Sequence, residues 1–412
     1  MTNEKIKLSE IVRANPSSWS KNLGWSHIRY LDTVNITEGR INEIVSFDTQ
    51  KDKIPSRARR IVENGDVIYS TVRPNQLHYG IIKDVPENLL VSTGFVVLRN
   101  KKPKEYDLRY IYHLITQKKL TEYLHGVAEN NTSTYPSLKP KDITNLEFHF
   151  PPLGQQRSVS DFVELLDDKI KNNRQMNETL EEMARAIFKS WFVDFDPVHA
   201  KAAGNTPAHM DADTAALFPN SFGDDGLPVG WVNKAFGDVC KITTGKRPPT
   251  KMTTPDNQNN ISVYGGNGIT WYTNKVLFES PFIITGRVGT LGTVYRVYEK
   301  CWVSDNALCC FPNDEDAFEL VYFAMQEIDY QALNSGSTQP LLTQTTLKNQ
   351  SIITPSKELI SAFHQNTEIL FKKVWANDEE NQTLTELRDT LLPKLMSGKI
   401  CMKDTEREVE DL

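Results

Sequence analysis

The chain has 412 residues, 39% hydrophobic and 24% charged, enough for two or three domains that each bury a core. Its five cysteines (Cys240, Cys301, Cys309, Cys310, Cys401) contain no CxxC pair and leave an odd thiol, which argues against a zinc site or disulfide framework and for a reducing compartment. The net charge of −6 argues at first against nucleic acid, but residues 194–225 carry −5 and residues 403–412 carry −3, leaving the remainder at +2.

The opening MTNEKIKLSE lacks an apolar signal core, and no run approaches the roughly 18 apolar residues of a membrane span. The expectation is a cytoplasmic protein without membrane attachment. Residues 1–150 predict a mixed α/β domain. Its strand candidates are 66–71 and 90–98, punctuated by Asn64-Gly65, Arg73-Pro74 and Pro86. The apolar spacing of Ile111, Leu114, Ile115 and Leu120 predicts a helix over 110–124. Basic residues concentrate at Lys51, Lys53, Arg57, Arg59 and Arg60, and again at Lys241, Lys246, Arg247 and Lys251. Each cluster suits phosphate contact and equally a solvated face.

Pro151-Pro152 opens a long helix within 151–193. Its core candidates Val159, Phe162, Leu166, Ile170, Asn173, Asn177, Leu180, Ala184, Ile187 and Trp191 step by three and four, the seam of a coiled coil about 55 Å long. Residues 194–228, rich in Ala, Asp, Gly and Pro, read as a linker, and 229–355 as a second α/β domain. A second long helix occupies 356–400, with Phe363, Leu370, Val374, Asn377, Asn381, Leu384, Leu391 and Leu395 on its seam and Pro393 expected to end or kink it. Residues 401–412 form an acidic tail.

The two helices are copies. NETLEEM at 177–183 reappears as NQTLTEL at 381–387, and the same shift of 204 maps Pro151 onto Pro355, Leu166 onto Leu370 and Asn173 onto Asn377. A helix of this length needs a partner along its seam, and the other copy is the nearest. The expected fold is therefore α+β: two globular domains, one at each end of two long antiparallel coiled-coil helices, with a pseudo-two-fold internal repeat. Leu166, Ile170, Asn173, Asn177 and Leu180 should pair with Leu370, Val374, Asn377, Asn381 and Leu384, the asparagines fixing register.

The segment PPLGQQRSVSDFVELLDDKIKNNRQMNETLEEMARAIFKSWFVDFDPV resembles the central region of the DNA-specificity subunits of type I restriction-modification enzymes. The second domain adds TTGKRPP at 243–249, VYGGNGI at 263–269, TGRVGTLG at 285–292, VSDNA at 303–307 and GSTQPLLTQTTLKNQSI before Pro355. The first contributes VSTGFVVLR and YPSLKPKDI. The resemblance spans essentially the whole chain. It implies two target-recognition domains, each reading half of a split double-stranded DNA sequence, with paired helices that set the spacing and dock two methyltransferase subunits. It also implies that S-adenosylmethionine, ATP and Mg belong to the methyltransferase and restriction (motor and nuclease) subunits, with no cofactor or metal in this chain.

Catalytic motifs are missing. Phe150-Pro151-Pro152-Leu153 lacks the polar residue of an adenine methyltransferase motif, and Gly245-Lys246-Arg247 has neither the spacing nor the hydroxyl of a phosphate loop. Gly286, Gly289 and Gly292 do not spell GxGxxG, and Asp167-Asp168-Lys169 reads as an exposed helix face rather than a nuclease site. Base edges are read by Arg, Lys, Asn and Gln, and phosphates by basic and hydroxyl groups. The DNA-binding candidates are Arg73, Asn75, Gln76, Tyr135, Ser137 and Lys139 in the first domain, and Lys246, Arg247, Tyr264, Asn267, Arg287 and Gln339 in the second. The competing reading is an interaction scaffold whose α/β domains bind proteins.

Overall fold

The computed structural model describes residues 4–131, 136–279, 281–289, 291–336 and 339–402. The chain divides into two compact units, Met1–Asn172 with Glu380–Leu412, and Asn173–Glu379.

In the first unit, Val12–Ala14, Phe95–Asn100, Val67–Ser70 and Tyr79–Ile81 form an antiparallel four-stranded sheet in that order. Strand alternation decides its packing. Val96 and Leu98, with Val67 and Tyr69, face a core shared with the helices Leu108–Ile115 and Lys118–Asn131. Phe95, Val97 and Ile68 face the opposite way, against Leu31, Ile36 and Val91. A second sheet runs Val45–Asp48, His27–Leu31, Leu89–Ser92, Ala58–Ile61, with His27–Leu31 and Leu89–Ser92 parallel.

Two expected elements divide in two. The strand predicted over 90–98 turns at Thr93-Gly94, and its halves join different sheets. The helix predicted over 110–124 breaks after Ile115, where the Thr116 hydroxyl donates to the Tyr112 carbonyl. That local bond competes with helix continuation.

The second unit repeats the plan. Cys240–Thr244, Ala307–Pro312, Phe282–Gly286 and Val294–Val297 reproduce the four-stranded order, and Ile261–Gly265 pairs in parallel with Trp302–Val303 as its counterparts do. Residues 194–228, expected as a linker, are folded onto this unit. They hold the helices Asp196–Ala202 and Ala212–Ala216, and Val198 and Phe218 are buried among Trp191, Phe192 and Trp231. The Lys201 ammonium donates to the carbonyls of Ala215 and Phe218, closing a short helix end. A few apolar anchors thus outweigh an acidic, glycine-rich composition.

The long helices are Leu153–Phe192 and Lys357–Met396. Each unit contains half of each, and the halves run antiparallel. In the first unit Val159 shares a core with Leu391, Leu395 and Met396, while Lys169 pairs with Glu380. In the second, the Asn377 amide donates to the side-chain Oδ1 of Asn177 at 2.8 Å, the Asn177 amide donates to the Asp378 carboxylate at 2.8 Å, and Phe188, Trp191 and Phe192 surround Phe363. Leu166, Ile170, Asn173, Val374, Asn377 and Asn381 are buried, and Asn177, Leu180, Leu370 and Leu384 half-buried. Phe371 rather than Leu370 points fully inward, and Thr367 fills the seam position between it and Phe363. Thr367 is tolerated there because its hydroxyl donates to the Phe363 carbonyl. Pro393 does not end its helix, which continues to Met396. Pro393 lacks the N–H that would bond the Asp389 carbonyl, and only three helical residues follow it.

Candidate nucleic-acid interface

One backbone framework occurs in both units. In the first, the turn Thr93-Gly94 links strands of the two sheets. The Thr71 N–H donates to Gly94 O at 2.7 Å, and the Thr93 N–H to Arg57 O at 2.9 Å. The loop after residue 71 then meets the segment before the second proline-led helix. Leu138 donates to Thr71 O at 2.7 Å, Arg73 to Pro136 O at 3.0 Å, and Val72 bridges Ser137. Arg73, at φ 47°, opens the one-turn helix Pro74–Gln76, which Leu77 closes at φ 58°. This places Arg73, Asn75 and Gln76 in exposed positions beside Ser137 and Lys139. Lys139 starts the helix Pro140–Thr144, its N–H held by Asp142 at 2.7 Å. Tyr135 lies outside the described residues.

In the second unit the Arg287 N–H donates to Asn306 O at 2.9 Å, Leu342 to Arg287 O at 2.8 Å, and Gly289 to Pro340 O at 3.0 Å, while Val288 bridges Leu341. Residue by residue, Arg287 therefore stands where the first unit has Thr71, and Gly289 where it has Arg73. The turn of residues 304–307 is gripped further by Lys246 N–H on Val303 O and by Ser304 N–H on Tyr264 O, each at 2.8 Å. Gly245 lies flat against it. A Cβ there would sit 2.2 Å from Ser304 O and 2.3 Å from Val303 O, so only glycine permits this approach.

Around the second turn, Lys246, Arg247, Asp305 and Asn306 are exposed and Arg287 half-buried. Elsewhere charged groups pair readily, as in Arg99 with Asp66 at 2.7 Å and Arg109 with Asp161 at 2.7 Å. Gln339 is exposed beside Pro340. Asn267 sits at the tip of the hairpin formed by Ile261–Gly265 and Gly268–Thr273, its side-chain oxygen 3.5 Å from the Thr293 hydroxyl. Tyr264 is half-buried and braces the turn. Its ring packs on the core, its hydroxyl donates to Glu299 at 2.7 Å, and burial followed by that carboxylate raises its pKa; its carbonyl holds the turn. Sequence reasoning missed Thr93, Asp305 and Asn306 as site residues, although VST and VSDN in matching register were their signal.

Among the described residues, no helix is long and apolar enough to cross a membrane. Residues 2–182 and 228–387 match the family model described as the type I restriction modification DNA specificity domain. The chain is 30% identical to the type I restriction enzyme HindI specificity subunit of Haemophilus influenzae, over 84% of this chain and 89% of that one. It is 24% identical to the MjaIX specificity subunit of Methanocaldococcus jannaschii, over 84% and 80%. The solved structure of a type I restriction-modification S subunit from M. genitalium has the same fold, with a TM-score of 0.56 at 16% identity, covering 96% of this chain and 97% of that one.

Proposed function

Because this chain belongs to the DNA-specificity subunits of type I restriction-modification enzymes, we propose that each of its two units reads one half of a split DNA target. The observation that carries this reading is the duplicated turn-and-loop framework: the backbone bonds joining residues 71–73, 94 and 136–138 recur at 287–289, 306 and 340–342 while the side chains they present differ. Phosphates are met by the flanking cations and base edges by the polar tips, Arg73, Asn75 and Gln76 in one unit and Lys246, Arg247, Arg287 and Gln339 in the other.

The helix pairs fix the spacing of the half-sites at roughly one helical turn, about 34 Å, and dock two methyltransferase subunits. The asparagine bonds across the seam support this role, since polar seam residues fix register at a cost in stability. The methyltransferase partners supply S-adenosylmethionine and flip the target adenine from the stack. Restriction subunits supply ATP- and Mg-dependent translocation and cleavage, all in the cytoplasm. This chain contributes selection rather than chemistry.

Mapping methylated adenines in DNA exposed to the assembled complex tests the reading. Replacing residues 230–354 with the matching domain of another such subunit is expected to change one half-site and leave the other; a change in both would overturn independent reading. Insertions at matching positions of both helices should lengthen the spacer alone.

A further inference from the structure

The turn of residues 304–307 carries an acid among cations. Asp305 and Asn306 form its tip, bounded by the backbones of Gly245, Lys246, Tyr264 and Arg287. Lys246, Arg247 and Arg287 belong to the same loops, yet among the described residues the Asp305 carboxylate makes no ion pair or hydrogen bond. The Arg287 Nε is buried without a partner. Backbone bonds hold these residues to one turn, and among the described residues no ion pair joins their side chains.

On a surface that meets DNA, an unpaired carboxylate repels phosphate and lowers affinity. It is useful there only against a hydrogen-bond donor. In the major groove the donors are the exocyclic amines, N4 of cytosine and N6 of adenine, whereas guanine and thymine present acceptors. We propose that Asp305 is a specificity-determining residue of the second unit, accepting a hydrogen bond from the exocyclic amine of a base in its half-site. Guanine or thymine in that place meets carboxylate against acceptor and is refused. The first unit has uncharged Thr93 at the equivalent tip, so the same turn there imposes no such selection. The inference rests on the DNA reading above and adds to it the residue and the base chemistry.

The test uses the full chain assembled with its methyltransferase subunits, as wild type, Asp305→Ala and Asp305→Asn, on duplex pools randomised in both half-sites. Wild type should select cytosine or adenine at one position of the half-site assigned to residues 230–354 by domain replacement. Asp305→Ala should relax that position at least tenfold, leave the other half-site unchanged, and bind unrelated duplex more tightly. Duplexes with purine for adenine, or 2-pyrimidinone for cytosine, lack only the amine. The one that weakens wild type but not Asp305→Ala identifies the base. Asp305 is exposed, so all variants should share one melting temperature. Unchanged preferences in Asp305→Ala, or relaxation in the other half-site, overturn the proposal. A wild-type complex that selects no sequence overturns the DNA reading itself.

Discussion

Where the long helices meet each domain, the two units solve one packing problem with opposite chemistry. The shift of 204 aligns Asp167 with Phe371 and Arg388 with Ala184, and the helices Leu108–Ile115 and Phe318–Gln326 align His113 with Phe323. In the first unit this junction is polar. Arg388 donates to Asp167 at 2.7 Å, and His113 is buried with its Nε2 unpartnered. In the second it is aromatic. Phe323 lies 5.4 Å from Phe188 and 6.0 Å from Phe371, and the Arg296 guanidinium sits 3.5 Å above the Phe371 ring while bonding Glu181. The helix scaffold thus constrains backbone geometry and leaves the interior free to change, which is what lets two readers diverge on a shared frame.

The comparison breaks most sharply at the core position Val159 and its counterpart Phe363, both buried. Phe363→Ala should cost about 3–5 kcal/mol, and Val159→Ala roughly 1.5 kcal/mol, two methylene-equivalents, in denaturant unfolding. Equal costs would show that the aromatic cluster is not the tighter core.

Acid should separate the units next. Burial, its largest cause, lowers His113 from 6.5 to about 4, against the attraction of Asp167 and Glu164. Between those values the unfolded chain takes up a proton that the folded unit refuses, so stability falls as pH drops through the window. The loss is on the order of 3 kcal/mol and should appear in hydrogen exchange of the first unit. Histidine at this position is the cause, so an unaltered pH profile in His113→Phe would falsify the assignment.

The smallest effect lies at the loop entrance, where Arg73 holds φ 47° and Gly289 φ 83°. Arg73→Gly should gain up to about 1 kcal/mol by releasing left-handed strain, and Gly289→Ala lose about 1 kcal/mol, by thermal melting. Arg73→Gly should also weaken selection of the first half-site alone, seen in the methylation map. A protein that gains stability and keeps that selection would remove Arg73 from the reading surface.

The helical repeat was legible because a shift of 204 holds without a gap, and heptad spacing survives divergence of everything between. Phe371 and Thr367 were not legible as seam residues, since which of two adjacent side chains turns inward depends on what faces it. The site was half legible. Arg73, Ser137 and Arg287 fall on the framework, but as candidates chosen by residue type they occupy non-equivalent positions. Thr93 and Asp305 stayed hidden because a strand pattern over 90–98 conceals a turn until pairing shows its two halves in separate sheets. The packing of 194–228 was masked by its composition, since Val198 and Phe218 are isolated in sequence and gain meaning only beside Trp231.

Residues 380–396 complete the first unit although nearly four hundred residues of chain precede most of them. On the ribosome, Val159 and Tyr110 therefore wait for Leu391, Leu395 and Met396 until the whole second unit has been made. The unit begun first closes after the one inserted into it, and until then its apolar stripe stays open to non-native contacts.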